Sequence, residues 1–343
     1  MSVRGPLYSI YHPDIPSWLE PFLATGPMLR LKDVGMNCGM EYTRFPIHEK
    51  LRGCYSRYEH SLGTALILWH FTHDKKQTLA GLLHDISTPA FAHVIDFLHH
   101  DHLKQESTEA MTRQVIEQSE EIGALLNKEG VKVEEVCDYH QYPLADNESP
   151  RLSADRLEYT LGNAVNYQGC SLEMIRDLFE DLTVGINEMG EQELMFQHQQ
   201  QAIYFTELAL TNSRIYASDE DRYGMQRLAD LIHEALDRKI LAEQDLMRTE
   251  NDVIAKLKSD VETERMWNSY CRMEKIEVSD HDPQTEGWIQ IEAKKRVIDP
   301  YLKNRGRITM LDSGIQRKIQ QFKDQDQSVW IREKKCKIIL NRC

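Results

Sequence analysis

Apolar residues recur at helical spacing through the middle of this chain, and that period constrains the fold more than any other feature. Leu79, Leu82, Leu83 and Ile86 fall at i, i+3, i+4 and i+7, which makes one buried face of a helix. Leu62, Ala65, Leu66 and Trp69 form a second stripe, and Met111, Val115, Ile122 and Leu125 a third. The pattern continues over 152–161, 173–182, 197–210 and 227–241, so helix is expected nearly throughout from 61 to about 241. No repeat period links these segments, which disfavours a solenoid. After about Asp260 the texture changes, because "KIEVSD", "GWIQIEA" and "RITMLD" alternate apolar with polar residues as half-exposed strands do. The expected architecture is mainly α: short helices and loops over 1–54, a helical core over 55–250, and a small α+β region over 251–343.

Length and composition suit that reading, since 343 residues with 41% hydrophobic and few glycines or prolines can bury a sizeable helical core. A formal net charge of −14 argues against broad adhesion to nucleic acid or anionic membrane, so any phosphate site must be small and focused. No apolar run reaches the length of a membrane span, and "MSVRGPLYSIYHPD" lacks the apolar block of a signal peptide; a soluble cytoplasmic protein is the expectation. Seven cysteines without a C-x-x-C pair read as reduced thiols. Neither a Walker A sequence nor a G-x-G-x-x-G loop is present, so phosphate recognition has to come from a metal and side chains.

Three stretches carry the chemistry: "RYEH" at 57–60, "HD" at 84–85 and "SADRLEY" at 153–159. Imidazole nitrogen together with carboxylate oxygen suits a divalent transition metal, and two of each leave positions open for water or a phosphoryl oxygen. Clustered His and Asp are costly to bury unless something compensates them. Thr88 and Pro89 read as the start of a further helix on which His93 and Asp96 share a face, where a carboxylate can raise the pKa of an imidazole acting as general acid. As a bare helix-surface pair the same two residues carry no function. Asp155 and Tyr159 share a face at i, i+4, with Ser149-Pro150 as a plausible helix start.

With these motifs the sequence resembles the HD-domain metal-dependent phosphohydrolases, whose signature is H...HD...D, and looks closest to the dNTP triphosphohydrolase (dGTPase-like) branch. The resemblance runs through "PMLRLKDVGMNCG", "SRYEHSLGTA", "LAGLLHDISTPAFAHVIDF" and "LSADRLEYTLGN", about 140 residues in all. It implies an HD-domain helical core holding a divalent ion (Mn, Fe, Ni, Mg or similar) on His60, His84, Asp85 and Asp155. It also implies Arg57 as a phosphate contact, His93 and Asp96 as the catalytic pair, and Tyr159 and Asn163 at the substrate. A small phosphate ester, a nucleotide by this resemblance, is the expected partner, and homo-oligomers are common among such proteins.

The sequence departs from the triphosphohydrolase pattern at the substrate pocket rather than at the metal ligands. Thr88 and Gln105 stand where that branch has histidines, Leu29 where it has glutamine, and Asn163 where it has an acid. His140 with His93 offers a second metal site, against the plainer reading of His140 as a loop residue. Two functions from different classes follow: metal-dependent hydrolysis of a phosphate ester, or a nucleotide-sensing protein with weak or no turnover.

Overall fold

The structure is a computed structural model that describes residues 5–48, 51, 55–98 and 111–334, except the side chains of Gly5, Pro6, Asp96 and Leu98. Gln105 and the His99, His100 and His102 cluster lie outside the described residues, as does the Asp96 side chain.

Helix α1 (Arg57–Thr72) starts at a capping box in which Ser56 accepts from the Glu59 amide while the Glu59 carboxylate accepts from the Ser56 amide. After two residues the chain returns as α2 (Lys75–Leu83), capped by Asp74. Leu79, Leu82, Leu83 and Ile86 are fully buried, as their spacing predicts. α3 (Ala154–Gln168) packs across α1, and α4 (Gln199–Tyr216) packs on α3. These helices share one core with the N-terminal residues Leu7 to Val34. A second core gathers around α5 (Asp219–Asp237) and includes Phe91, Phe97 and Trp267.

Two small sheets complete the fold. One has the order β1-β2-β5-β6, built from the antiparallel hairpin β1 (Leu182–Ile186) and β2 (Gln192–Phe196) with β5 (Tyr301–Leu302) parallel to β2 and β6 (Gly306–Arg307) closing the edge. The other sets β7 (Trp330–Glu333) between β3 (Ile276–Ser279) and β4 (Ile289–Gln290). Val297, Leu302 and Phe322 join the first core and Ile331 the second. Among the described residues no helix is long and apolar enough to cross a membrane.

Four local expectations need correction. The 61–241 stretch is interrupted by the β1–β2 hairpin, because Thr183, Val184 and Ile186 are β-branched and the Asn187 side chain accepts from the Met189 and Glu191 amides to close the turn. "RITMLD" is strand only at Arg307; the Ile308–Leu311 helix follows, with Asp299 accepting from the Thr309 amide at 3.0 Å and taking its hydroxyl as well. Ser149-Pro150 does not start α3; Ser153 caps it by accepting from the Arg156 amide. Thr88-Pro89 does not start a helix either, since Phe91 and Ala92 take left-handed backbone angles (φ 63 and 47) and the helix runs Val94–Leu98. Burial of the Phe91 ring against Tyr42 and Trp267 offsets that strain and leaves His93 in a turn rather than on a helix face.

Phe205 on α4 is fully buried and packs at a tilt against Phe196 of β2 with ring centroids 5.2 Å apart, joining sheet to helix. Phe205→Ala is expected to cost about 3–5 kcal/mol, measured as a lower denaturation midpoint.

Candidate metal centre

α1, α2 and α3 each deliver one part of the centre. His60 sits one turn into α1, His84 is the C-terminal cap of α2, and Asp155 lies in the first turn of α3. Their ligand atoms lie within 4.8 Å of one another. His60 Nδ1 donates to Glu158 Oε2 at 2.7 Å, and His84 Nδ1 donates to the Gly81 carbonyl at 2.7 Å. These bonds fix both tautomers, so both Nε2 lone pairs are turned into the site. The two Nε2 atoms are 3.2 Å apart, and Asp155 Oδ1 is 2.9 Å from the first and 3.5 Å from the second.

Two acceptor nitrogens and a carboxylate oxygen at such distances require something positive between them. Protons meet that need in the bare protein: burial opposes a charge on His60, but hydrogen bonds to Asp155 and Glu158 overcome it and raise its pKa to about 10. His84 is raised in the same sense, against burial, by Asp85 and Asp155. Asp155 is pushed the other way, far below the usual carboxylate range, by the two imidazoles despite its burial. A divalent cation would compensate the same donor set, so these residues fit a metal ion.

Asp85 stands at the margin of this cluster. Its Oδ2 is 3.6 Å from His84 Nε2 and 3.9 Å from His60 Nε2, and it accepts from Arg57 Nη1 at 2.8 Å. Its Oδ1 accepts from the Thr88 hydroxyl at 2.8 Å. Although burial opposes its charge, Arg57 and both imidazoles hold Asp85 far below the usual carboxylate range. Arg57 itself is buried, and its Nε has no partner among the described residues. Arg30, from the N-terminal stretch, ties down the loop after Asp85 by donating to the Ile86 and Thr88 carbonyls at 3.0 and 2.8 Å.

Sequence reasoning missed the support behind His60. Glu158 is fully buried, one turn beyond Asp155 on α3, and also accepts from the Tyr55 hydroxyl. Such a carboxylate behind a metal-ligating imidazole orients it and increases its basicity. Gly63 and Gly162 make room for the pair: a Cβ on Gly63 would come within 2.6 Å of Glu158 Cγ, and one on Gly162 within 2.6 Å of the Tyr55 hydroxyl. Gly63→Ala is therefore expected to push Glu158 off His60, lowering the melting temperature and the affinity for Mn²⁺ together in calorimetry.

The centre opens into a cavity of about 860 Å³. His93, Tyr159 and Asn163 line it, whereas Leu29 is 41% exposed and is not part of its wall. Asn163 donates to the Tyr216 hydroxyl at 2.7 Å. His140 also borders the cavity, but it is exposed and engaged by Asp138 at 3.0 Å and Asp146 at 3.3 Å. Among the described residues, the only group of His, Cys, Asp or Glu converging at metal-binding distances is His60, His84 and Asp155.

Comparison with known proteins agrees with this architecture. A phosphohydrolase from Bacteroides thetaiotaomicron, known from its crystal structure, superposes with a TM-score of 0.61 at 15% identity, over 94% of this chain and 97% of its own. The fold is the mainly α HD-domain fold. The uncharacterized protein YdhJ of Bacillus subtilis is 27% identical to this HD-fold chain over 301 residues, 88% of each. The metal-dependent phosphohydrolase cns2 of Cordyceps militaris is 27% identical over 169 residues, 48% of this chain and 46% of its own length. No protein-family profile matches the chain.

Proposed function

We propose that this protein hydrolyses phosphate esters with a divalent metal ion held by His60, His84 and Asp155, with Asp85 completing the set, and that its substrates are nucleotides. The observation that carries the reading is the convergence of two tautomer-fixed imidazoles and a carboxylate at the floor of a large cavity, beside a buried arginine. The names of cns2 and of the Bacteroides protein, both phosphohydrolases, support it. A divalent ion held by these residues would supply Lewis acidity, able to lower the pKa of a water and to polarise a phosphoryl oxygen.

The chain's own residues divide the remaining work. Arg57 offers its unpartnered Nε to a phosphoryl oxygen, while Asp85 holds the guanidinium in place and keeps it charged against burial. His93, on the cavity wall, is the group to hand a proton to the leaving oxygen. Tyr159, Tyr167 and Tyr216 give the cavity flat apolar faces of the kind a nucleobase stacks on, and Asn163 adds a polar contact beside them. Release of intact triphosphate from a dNTP is the reaction favoured by the resemblance, and stepwise phosphate release by a nucleotidase is its alternative.

A screen of nucleoside tri-, di- and monophosphates with Mn²⁺, Mg²⁺, Ni²⁺ or Fe²⁺, read by product chromatography, separates these outcomes. Turnover of generic phosphate esters but of no nucleotide would overturn the substrate class. One contact favours the second reading, a nucleotide sensor. Thr88, where the triphosphohydrolase branch that the sequence resembles has a histidine, spends its hydroxyl on Asp85. Tight nucleotide binding without product under every metal would select that reading.

A further inference from the structure

The cavity wall carries a second set of polar groups, none of which belongs to the metal centre. Tyr167 near the end of α3, Tyr216 at the end of α4 and Asp221 in the first turn of α5 stand there with Asn37 and Cys38. Asn37 and Cys38 sit in a turn in which the Met40 amide donates to the Asn37 carbonyl at 2.9 Å and Cys38 takes a left-handed backbone angle (φ 53). Burial pushes the Cys38 thiol up to about 12, with Arg57 acting against that shift and Asp221 adding to it. One side chain thus feels both Arg57 and Asp221, and a nucleotide-sized ligand in this cavity can span the two.

The polar atoms of this set are poorly compensated by the protein. Asp221 is buried, and among the described residues its only ion-pair partner is His48, whose Nε2 lies 3.6 Å from Oδ1, too far for a hydrogen bond. Burial pushes the His48 imidazole down to about 4, so it brings no charge to Asp221, and neither ring nitrogen has a hydrogen-bond partner. Burial, with Glu220 adding to it, pushes Asp221 well above the usual carboxylate range. Asn37 is 7% exposed; its Oδ1 accepts from the Tyr167 hydroxyl at 2.8 Å, and its Nδ2 has no partner. An acceptor and a donor buried side by side on a cavity wall, each without a bond to the protein, are matched by polar groups of a ligand.

We propose that Asp221, with Asn37 beside it, receives a pair of adjacent N–H or O–H donors at the end of the substrate remote from its phosphate, and so decides which nucleotides the cavity accepts. The inference rests on the nucleotide reading above and specifies its substrate class. The two oxygens of a carboxylate accept two neighbouring donors at once, and those donors favour the ionised form that burial opposes. A purine edge with a ring N–H beside an amino group presents such a pair, and so does the vicinal diol of a ribose. An aspartate in the first turn of α5 also favours that helix through its dipole. That role bears on stability and falls equally on every ligand, whereas recognition distinguishes ligands that differ by one donor.

The test is a calorimetric titration of the full chain, in EDTA, with GMP, IMP and dGMP. IMP lacks the amino group of the base edge and dGMP lacks the vicinal diol, so the arms tell the two sources of the donor pair apart. Because neither metal nor turnover is involved, failure here is distinct from failure of the substrate screen. Wild type is expected to bind GMP about tenfold more tightly than one of the other two. Asp221→Asn, whose carboxamide offers one acceptor and one donor, should abolish that difference by weakening GMP. Equal affinity of wild type for all three nucleotides, binding of none of them, or a preference that survives in folded Asp221→Asn would overturn the proposal. Near-UV circular dichroism checks folding, and if Asp221→Asn does not fold, Asp221→Ser is judged on the same criterion.

Discussion

Asp155→Ala is expected to reduce kcat/KM for any phosphate ester by at least about 10³-fold, while the protein stays folded. The substitution removes the oxygen nearest to both Nε2 atoms, 2.9 Å from His60 and 3.5 Å from His84. Two imidazoles and the more distant Asp85 then form an incomplete ligand set whose carboxylate is already engaged by Arg57. Asp155 is in the first turn of α3, but Ser153 rather than Asp155 caps that helix, so its loss leaves the helix start intact. The measurement is Mn²⁺-dependent turnover beside circular dichroism. A folded variant retaining more than a tenth of wild-type activity would remove Asp155 from the centre.

Glu158→Gln is expected to weaken Mn²⁺ binding by about 10- to 100-fold. Glutamine preserves the volume beside Gly63 and Gly162 but carries no charge. Its amide oxygen can still accept one of the two bonds now made by His60 Nδ1 and the Tyr55 hydroxyl. The imidazole loses the anionic partner that makes it a stronger donor to a cation. In the bare protein the same substitution lowers the pKa of His60, since Asp155 and Glu158 are what raise it against burial. That shift has a defined sign for stability. The stabilisation from a raised His60 pKa is fully present below the ordinary value of 6.5 and is lost as pH rises through about 10. The metal-free variant should therefore be less stable than metal-free wild type at pH 6, with the deficit shrinking towards pH 10. Thermal melts in EDTA at several pH values read this, and a deficit independent of pH would mean that Glu158 supports packing alone.

The parts of this account visible in the sequence are those set by local spacing. The run from Leu79 to Ile86 fixes the face of α2 and therefore the point at which His84 and Asp85 meet the polar centre. "RYEH" and "SADRLEY" place His60 and Asp155 in the first turns of their helices. Glu158 lies in the same quoted stretch, but nothing local distinguishes a glutamate buried against an imidazole from one facing solvent. Its signal is indirect: two glycines, Gly63 and Gly162, at positions where helix propensity alone disfavours them. The cavity wall at Ala293, Lys294 and Arg296 is less legible still. In sequence "EAKKRV" reads as an exposed strand end, whereas bonds between residues far apart in the chain, Ser149 to Val297 and Asp299 to Pro150, together with the pairing of β5 with β2, hold it in place. The β1–β2 hairpin was concealed because Leu182 also continues the helical period of the segment before it, and the turn chemistry of Asn187 outweighs that period.

The most direct test of the central claim is the rate of phosphate or triphosphate release from nucleotides by EDTA-treated protein before and after restoring Mn²⁺. No release before restoration and substrate-saturable release after it is the result expected of a metal centre on His60, His84 and Asp155. The same rate in both states, or restoration that works equally well in Asp155→Ala, would contradict it.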